Sequence, residues 1–166
     1  MSAIRILPTA DEHVEGFNRC VGVVARERRW LVLVEAPPLE ASRAFHRHVL
    51  DTGGVHVVAV DGAGEVVGWC DVSRDLRPGY GHGGRLGMGL LPAHRGQGLG
   101  RRLIEAALEG ARQKGMERVE LEVYASNERA LRLYEHVGFE REGVRRRARF
   151  LDGVYEDDVL MARLFA

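Results

Sequence analysis

Arg95-Gly96-Gln97-Gly98-Leu99-Gly100-Arg101-Arg102-Leu103-Ile104-Glu105 runs a glycine-rich turn straight into an amphipathic helix, with three arginines crowded about its start. The first N–H groups of a helix have no partner inside it, and the backbone dipole is positive there, so the segment is suited to an anion. Cationic side chains at that end are disfavoured by about 0.3–1 kcal/mol each, and a bound polyphosphate reverses the sign. The other reading of the same residues is an ordinary strand-to-helix turn with solvated arginines.

Working backwards, Leu86-Gly87-Met88-Gly89-Leu90 alternates large apolar side chains with glycines, so one face of the strand is bare. Glycine within a strand marks the close approach of a ligand or of another backbone. A long, thin ligand lying along that strand with its phosphates at the helix start satisfies both features; a helix packed on the bare face satisfies the first alone.

Working forwards, the helix covers about 98–114, with Leu99, Leu103, Ile104, Ala107, Leu108 and Ala111 on one face and Gly115 as its stop. A strand follows over 118–124, then a short helix over about 127–136 stopped by Gly138, then a strand pair near 139–150 and 155–164 turned by Asp152-Gly153. Upstream, residues 3–7 read as a strand and 11–28 as a helix with Thr9 or Asp11 as its cap. A second helix spans about 39–50, and a hairpin joins 55–60 to 65–73 through Asp61-Gly62-Ala63-Gly64. The pattern describes one α/β domain over residues 1–166, a mixed, mostly antiparallel central sheet flanked by helices.

Two further stretches carry chemistry. In Asn127-Glu128-Arg129-Ala130-Leu131-Arg132-Leu133-Tyr134 the apolar face carries Tyr134 inward with its hydroxyl at the edge of the buried surface. There it is either a core residue or, with an ordinary pKa near 10, a proton donor to a departing thiolate. In Val119-Glu120-Leu121-Glu122-Val123 the two glutamates share the wet face of a half-buried strand, which explains both without chemistry; Glu122 is also a candidate base.

Composition narrows the classes. Lys+Arg and Asp+Glu are both 24, which gives no case for a nucleic-acid or anionic-membrane surface. Apolar runs are far shorter than a membrane span, and residues 1–20 lack the order of a signal peptide, so a cytoplasmic location is expected. Cys20 and Cys70 suggest neither a disulfide framework nor a metal site, and His46 and His48, two apart on a helix, face different ways, so no metal is expected.

Taken together, these residues resemble the GNAT acetyltransferase superfamily. Its cofactor motif, Arg or Gln, two residues, Gly, one residue, then Gly or Ala, matches Arg95-Gly96-Gln97-Gly98-Leu99-Gly100. Its second block, Asn-x-x-Ala-x-x-Leu-Tyr followed by Gly-Phe, matches Asn127, Ala130, Leu133, Tyr134, Gly138 and Phe139. The likeness covers about Val55 to the C-terminus. It implies acetyl-CoA along the 86–91 strand, its pantetheine arm near Gly89, Leu90 and Leu91 and its pyrophosphate on the N–H groups of Gln97 to Arg101. Asn127 would then bond the pantetheine arm and Tyr134 would protonate the leaving thiolate. Glu122 stands twelve residues before Tyr134, a spacing similar to that of the base in ribosomal-protein alanine N-acetyltransferases. Glu122 is therefore the first choice of general base; the segment 86–91 lacks the carboxylate that several members use as base on that strand, and proton removal through water is the alternative route.

The resemblance implies transfer of an acetyl group to a primary amine: a small amine, an amino-acid derivative or a protein N-terminus. Trp30, Glu35, Tyr80 and Tyr155 are the candidate acceptor contacts, and a homodimer is plausible by likeness alone. A non-catalytic acetyl-CoA-binding regulatory module is the alternative. A Rossmann or P-loop nucleotide protein fits less well, because residues 96–100 have neither the G-x-G-x-x-G spacing nor a Gly-Lys-Ser/Thr ending.

Overall fold

β-Branched runs bounded by turn residues form seven strands, and apolar residues at helical spacing form four helices. The computed structural model describes residues 3–166. In chain order the elements are β1 (Arg5–Pro8), α1 (Val14–Arg26), α2 (Leu39–Asp51), β2 (Val55–Val60), β3 (Val66–Arg74), β4 (Gly83–Leu90), α3 (Leu99–Gln113), β5 (Arg118–Tyr124), α4 (Glu128–His136), β6 (Glu140–Leu151) and β7 (Val154–Leu164). The strands make one sheet in the order β1-β2-β3-β4-β5-β7-β6.

Every pairing is antiparallel except that of β4 with β5, which is parallel and brief: Gly83, Gly84 and Arg85 pair with Arg118, Val119 and Glu120. Beyond Arg85 the two strands have no ladder between them. That parting makes room for a site at the centre of the sheet.

Two cores hold the layers. On one face, Leu99, Leu103, Ile104, Ala107, Leu108 and Ala111 of α3, with Leu131, Tyr134 and Val137 of α4, pack on Cys70, Val72, Leu86, Val119, Leu121 and Val123. On the other, Phe17, Cys20, Val21 and Val24 of α1 pack on Val58, Val60, Val66 and Trp69. Period two in the strands fixes this division, so Gly87, Gly89, Asp71 and Glu122 fall on the α1 face.

Three local expectations are corrected. The chain enters α1 through a 3-10 turn at Asp11–His13, with neither Thr9 nor Asp11 as cap; the Ala10 N–H donates to His13 Nδ1 at 2.9 Å. Helix α1 ends at Arg26, because Arg28 adopts a left-handed backbone (φ 57°) that breaks the helix. The bare face of β4 is filled from within the sheet. A Cβ at Gly89 would lie 2.2 Å from the Trp69 ring, which reaches across from β3 and meets Phe17 of α1 edge-on at 5.7 Å.

Candidate active site

A cleft of about 690 Å³ opens where β4 and β5 part. Its walls are Leu86 to Leu90 of β4, Glu122 and Val123 of β5, the turn before α3, the start of α4 and the segment Arg29–Val32 after α1. The space thus lies at the edge of β4 rather than on its glycine face, where Trp69 already sits.

At one end, Gly96 and Gly98 take left-handed backbone angles, φ 73° and 80°. These swing the turn so that the N–H groups of Gly96 to Arg101 donate to no partner among the described residues, while the Arg102 N–H is the first to bond back, to the Gly98 carbonyl. A Cβ built on Gly98 would meet nothing within 4 Å. A row of unpaired donors at a helix N-terminus beside open space is a ready anion cradle, and these residues fit a diphosphate.

Arg95 has a different employment. Its guanidinium donates to the Leu90 carbonyl at 2.8 and 3.1 Å and forks onto Glu27 at 2.5 and 2.9 Å. The Arg95 fork, before any other cause, holds the Glu27 carboxyl below its ordinary range. Arg95 is therefore a strut between α1 and the end of β4. Arg101 lies on the cleft wall and pairs with Glu105 at 2.7 Å.

On the β5 side, Asn127 lines the cleft and caps α4 by accepting the Ala130 N–H at 3.2 Å, while its own amide N–H groups have no partner among the described residues. Two turns on, Tyr134 is 8% exposed, lies edge-on to Phe139 at 5.8 Å and lines the cleft. Its hydroxyl has no hydrogen-bond partner among the described residues. Burial pushes the phenol well above its ordinary pKa, with nearby Cys70 adding to the effect, so it is a protonated donor at any working pH.

Glu122 also faces the cleft, on the opposite face of the sheet from Tyr134. One of its oxygens pairs with Arg85 at 3.2 Å and the other with Arg145 of β6, which is shared with Asp158 of β7 at 3.2 Å. Burial pushes the thiols up, Cys20 to about 12 and Cys70 well above the ordinary range. Neither is an available nucleophile.

The structure gathers Gly89, Leu90, Arg95, Gly96, Gly98, Gly100, Arg101, Glu122, Asn127, Tyr134 and Trp30 around one cleft. Leu91 is outside it, with its N–H committed to Val67. Leu99 turns into the core, and the Gln97 amide donates to the Ala93 carbonyl, so any part these two have is through backbone. Of the other acceptor candidates, Tyr80 lines a separate cavity of about 210 Å³ at the end where β4 and β5 still pair, Tyr155 stacks on Phe150 at the β6–β7 hairpin, and Glu35 is exposed after the Trp30 loop.

Several contacts of the site have no local sequence signal. The loop over the cleft is held by Arg28, which forks onto Asp152 at 2.9 Å, and by Arg149, which donates to the carbonyls of Leu31 and Arg28 and stacks over Tyr124 at 4.2 Å. These pairs, like Glu27 with Arg95, join residues far apart in the chain.

Comparisons agree with this architecture. The N-alpha-acetyltransferase RimI of Mycobacterium tuberculosis is 40% identical over 105 residues, 63% of each chain. A mycothiol acetyltransferase of Beutenbergia cavernae is 50% identical over 52 residues, 31% of this chain and 18% of that one. The matched portions thus cover less than two thirds of these relatives. A GNAT-family acetyltransferase from Streptococcus pneumoniae superposes with a TM-score of 0.89 at 24% identity, covering 98% of this chain and all of that one. A phosphinothricin acetyltransferase from Sinorhizobium meliloti, solved in complex with acetyl-CoA, gives 0.92 at 18%, covering 100% and 90%. Among the described residues no helix is long and apolar enough to cross a membrane, and no cluster of three or more His, Cys, Asp or Glu could hold a metal. The acetyltransferase (GNAT) family model matches residues 23–139, and the chain belongs to that family.

Proposed function

We propose that the protein is an acetyl-CoA-dependent N-acetyltransferase acting on a primary amine by direct attack in a ternary complex. The observation that carries this reading is the row of unpaired N–H groups from Gly96 to Arg101 beside a cleft that Tyr134, its hydroxyl unpartnered among the described residues, also lines. Acetyl-CoA would supply the activated thioester. The turn before α3 would hold its diphosphate, and Asn127, with the unladdered edge of β4, would hold its arm by hydrogen bonds.

The protein's own residues then divide the work. Unladdered β4 N–H groups polarise the reacting carbonyl, and Tyr134 donates its hydroxyl proton to the departing sulfur. Glu122 has both oxygens engaged by guanidinium groups. It holds the ammonium form of the acceptor at the slot and orders the water around it. Relatives described as an N-alpha-acetyltransferase and a mycothiol acetyltransferase support an amine acceptor, whether small molecule or peptide N-terminus.

The test is calorimetry with coenzyme A, followed by thiol release from acetyl-CoA across a panel of small amines, amino-acid amides and peptides. Binding with amine-dependent turnover is expected. Binding without turnover across the panel means a regulatory module, and no binding removes the reading altogether.

A further inference from the structure

Arg29, Arg95, Arg101 and Arg129 all line the cleft, and the first three are engaged within the protein. Arg95 forks onto Glu27, Arg101 pairs along its own helix with Glu105 at 2.7 Å, and Arg29 lies over the Trp30 ring at 4.4 Å. Arg129 has no ion pair, side-chain hydrogen bond or aromatic face among the described residues. Glu128 beside it pairs with Arg132 instead, at 3.7 Å.

Arg129 stands in the first turn of α4, two residues after the Asn127 cap, and is exposed. Its guanidinium is directed at the turn before α3: Nη1 lies 4.0 Å from the point that a Cβ on Gly96 would occupy. Gly96 is the first of the row of unpaired N–H groups at that turn. The backbone N–H groups of Glu128 and Arg129 likewise donate to no partner among the described residues. Two helix starts and one guanidinium therefore bring positive charge to the same part of the cleft from two of its walls.

This placement is unfavourable in the empty protein. A cation in the first turn of a helix meets the positive end of the dipole. The positions on α4 from which a carboxylate could offset it hold Ala125, Ser126, Arg132 and Leu133, none of them acidic. A polyanion seated on the N–H row reverses the sign for all of these groups at once.

We propose that Arg129 is the side-chain clamp on the diphosphate of coenzyme A, an inference that rests on the donor site read above. The N–H groups of Gly96 to Arg101 hold the diphosphate from α3, and Arg129 closes on it from α4. A guanidinium presents paired N–H groups that match two phosphate oxygens, and Arg129 is the arginine beside this turn with that fork uncommitted. Asn127 and Tyr134 belong to the same stretch of chain, so the nucleotide tail and the thioester end of the donor are gripped through one helix.

The test is calorimetry at low salt on wild type, Arg129→Ala, Arg129→Lys and Arg132→Ala, each with coenzyme A and with 3′-dephospho-coenzyme A. Arg129→Ala should lose at least about tenfold in affinity for both ligands, by the same factor, and the loss should shrink at high salt. Arg129→Lys, which keeps the charge but not the fork, should fall between wild type and alanine. Arg132→Ala removes the same charge from the same helix outside the cleft and should bind as wild type does. A melt of the apoprotein should place Arg129→Ala at or slightly above the wild-type midpoint, because a cation leaves the positive end of α4. Wild-type affinity in Arg129→Ala overturns the proposal and leaves the transferase reading standing. So does an equal loss in Arg132→Ala, which would make the effect one of net charge, or a lowered melting midpoint, which would make Arg129 structural. A loss with coenzyme A but not with its 3′-dephospho form would put Arg129 on the other phosphate and overturn the assignment to the diphosphate. Should wild type bind neither ligand, the donor site and the clamp fall together.

Discussion

Replacing Gly98 with aspartate should separate folding from cofactor binding. The Gly98 backbone is left-handed at φ 80°, and a Cβ there meets nothing within 4 Å, so the new side chain has room. Placing a non-glycine residue in that conformation costs about 1–2 kcal/mol, less for aspartate than for most. A carboxylate at the N-terminus of α3 returns about 0.3–1 kcal/mol through the helix dipole. The net change in stability is therefore about 1 kcal/mol or less. For binding, the carboxylate competes for the same N–H groups and repels the diphosphate. At an effective dielectric near 20 and a separation of about 4 Å, each like-charge pair costs roughly 4 kcal/mol. Even after solvent screening, affinity should fall by at least about 100-fold. Calorimetry with coenzyme A reads the second effect and a thermal melt of the apoprotein reads the first, with Gly98→Ala as the uncharged control, expected within about tenfold of wild type. Normal binding of coenzyme A by Gly98→Asp would refute the placement of the diphosphate at this turn.

Tyr134→Phe keeps the ring against Phe139 and removes the proton donor, so kcat should drop about 100-fold while acetyl-CoA affinity stays within twofold; an unchanged rate returns Tyr134 to the core. His56 is held near 3 in the folded protein against an ordinary value near 6.5. The unfolded chain therefore binds the extra proton first, and stability present above pH 6.5 is lost as pH falls toward 3, by up to the order of 5 kcal/mol. Urea melts across that window should show the decline, and His56→Gln should flatten it; equal slopes would mean another group governs acid lability. Gly89→Ala drives a methyl into the Trp69 ring at 2.2 Å and should cost about 1–3 kcal/mol, whereas Gly87→Ala meets Asp71 at an ordinary 3.4 Å and should unfold at nearly the wild-type urea concentration. Equal midpoints for the two would contradict the close packing of Trp69 on β4.

Hydrophobic period and turn chemistry are local, which is why the hairpin through Asp61–Gly64, the helix opened by Gly98 and the strand at 118–124 can be read directly from the chain. The anion cradle is local as well, because the spaced glycines and the helix start are contiguous. Acceptor contacts are another matter. Tyr80 and Glu35 are attractive by residue type, but type alone does not say at which end of β4 or on which side of a loop a residue emerges. Trp30 reaches the cleft because α1 ends beside the gap between β4 and β5, a tertiary fact. Arg95 shows the converse: a residue singled out by its motif spends its guanidinium on Glu27 and the Leu90 carbonyl. Asp71 is open to detection as a polar intruder in an apolar strand, but its place against Gly87 depends on the register of β3 against β4.

The Arg28–Asp152 fork and the Arg149 contacts tie the ceiling of the cleft to the last hairpin, 124 residues further along the chain. The donor-binding half, by contrast, is assembled from the single contiguous stretch between Gly83 and Tyr134. A nascent chain that has emerged only as far as α4 already carries the whole turn of unpaired N–H groups, while the cleft stays without a lid until the two closing strands arrive. On the proposed function, alterations confined to the hairpin tip would retune which amines enter without disturbing the grip on the acyl donor.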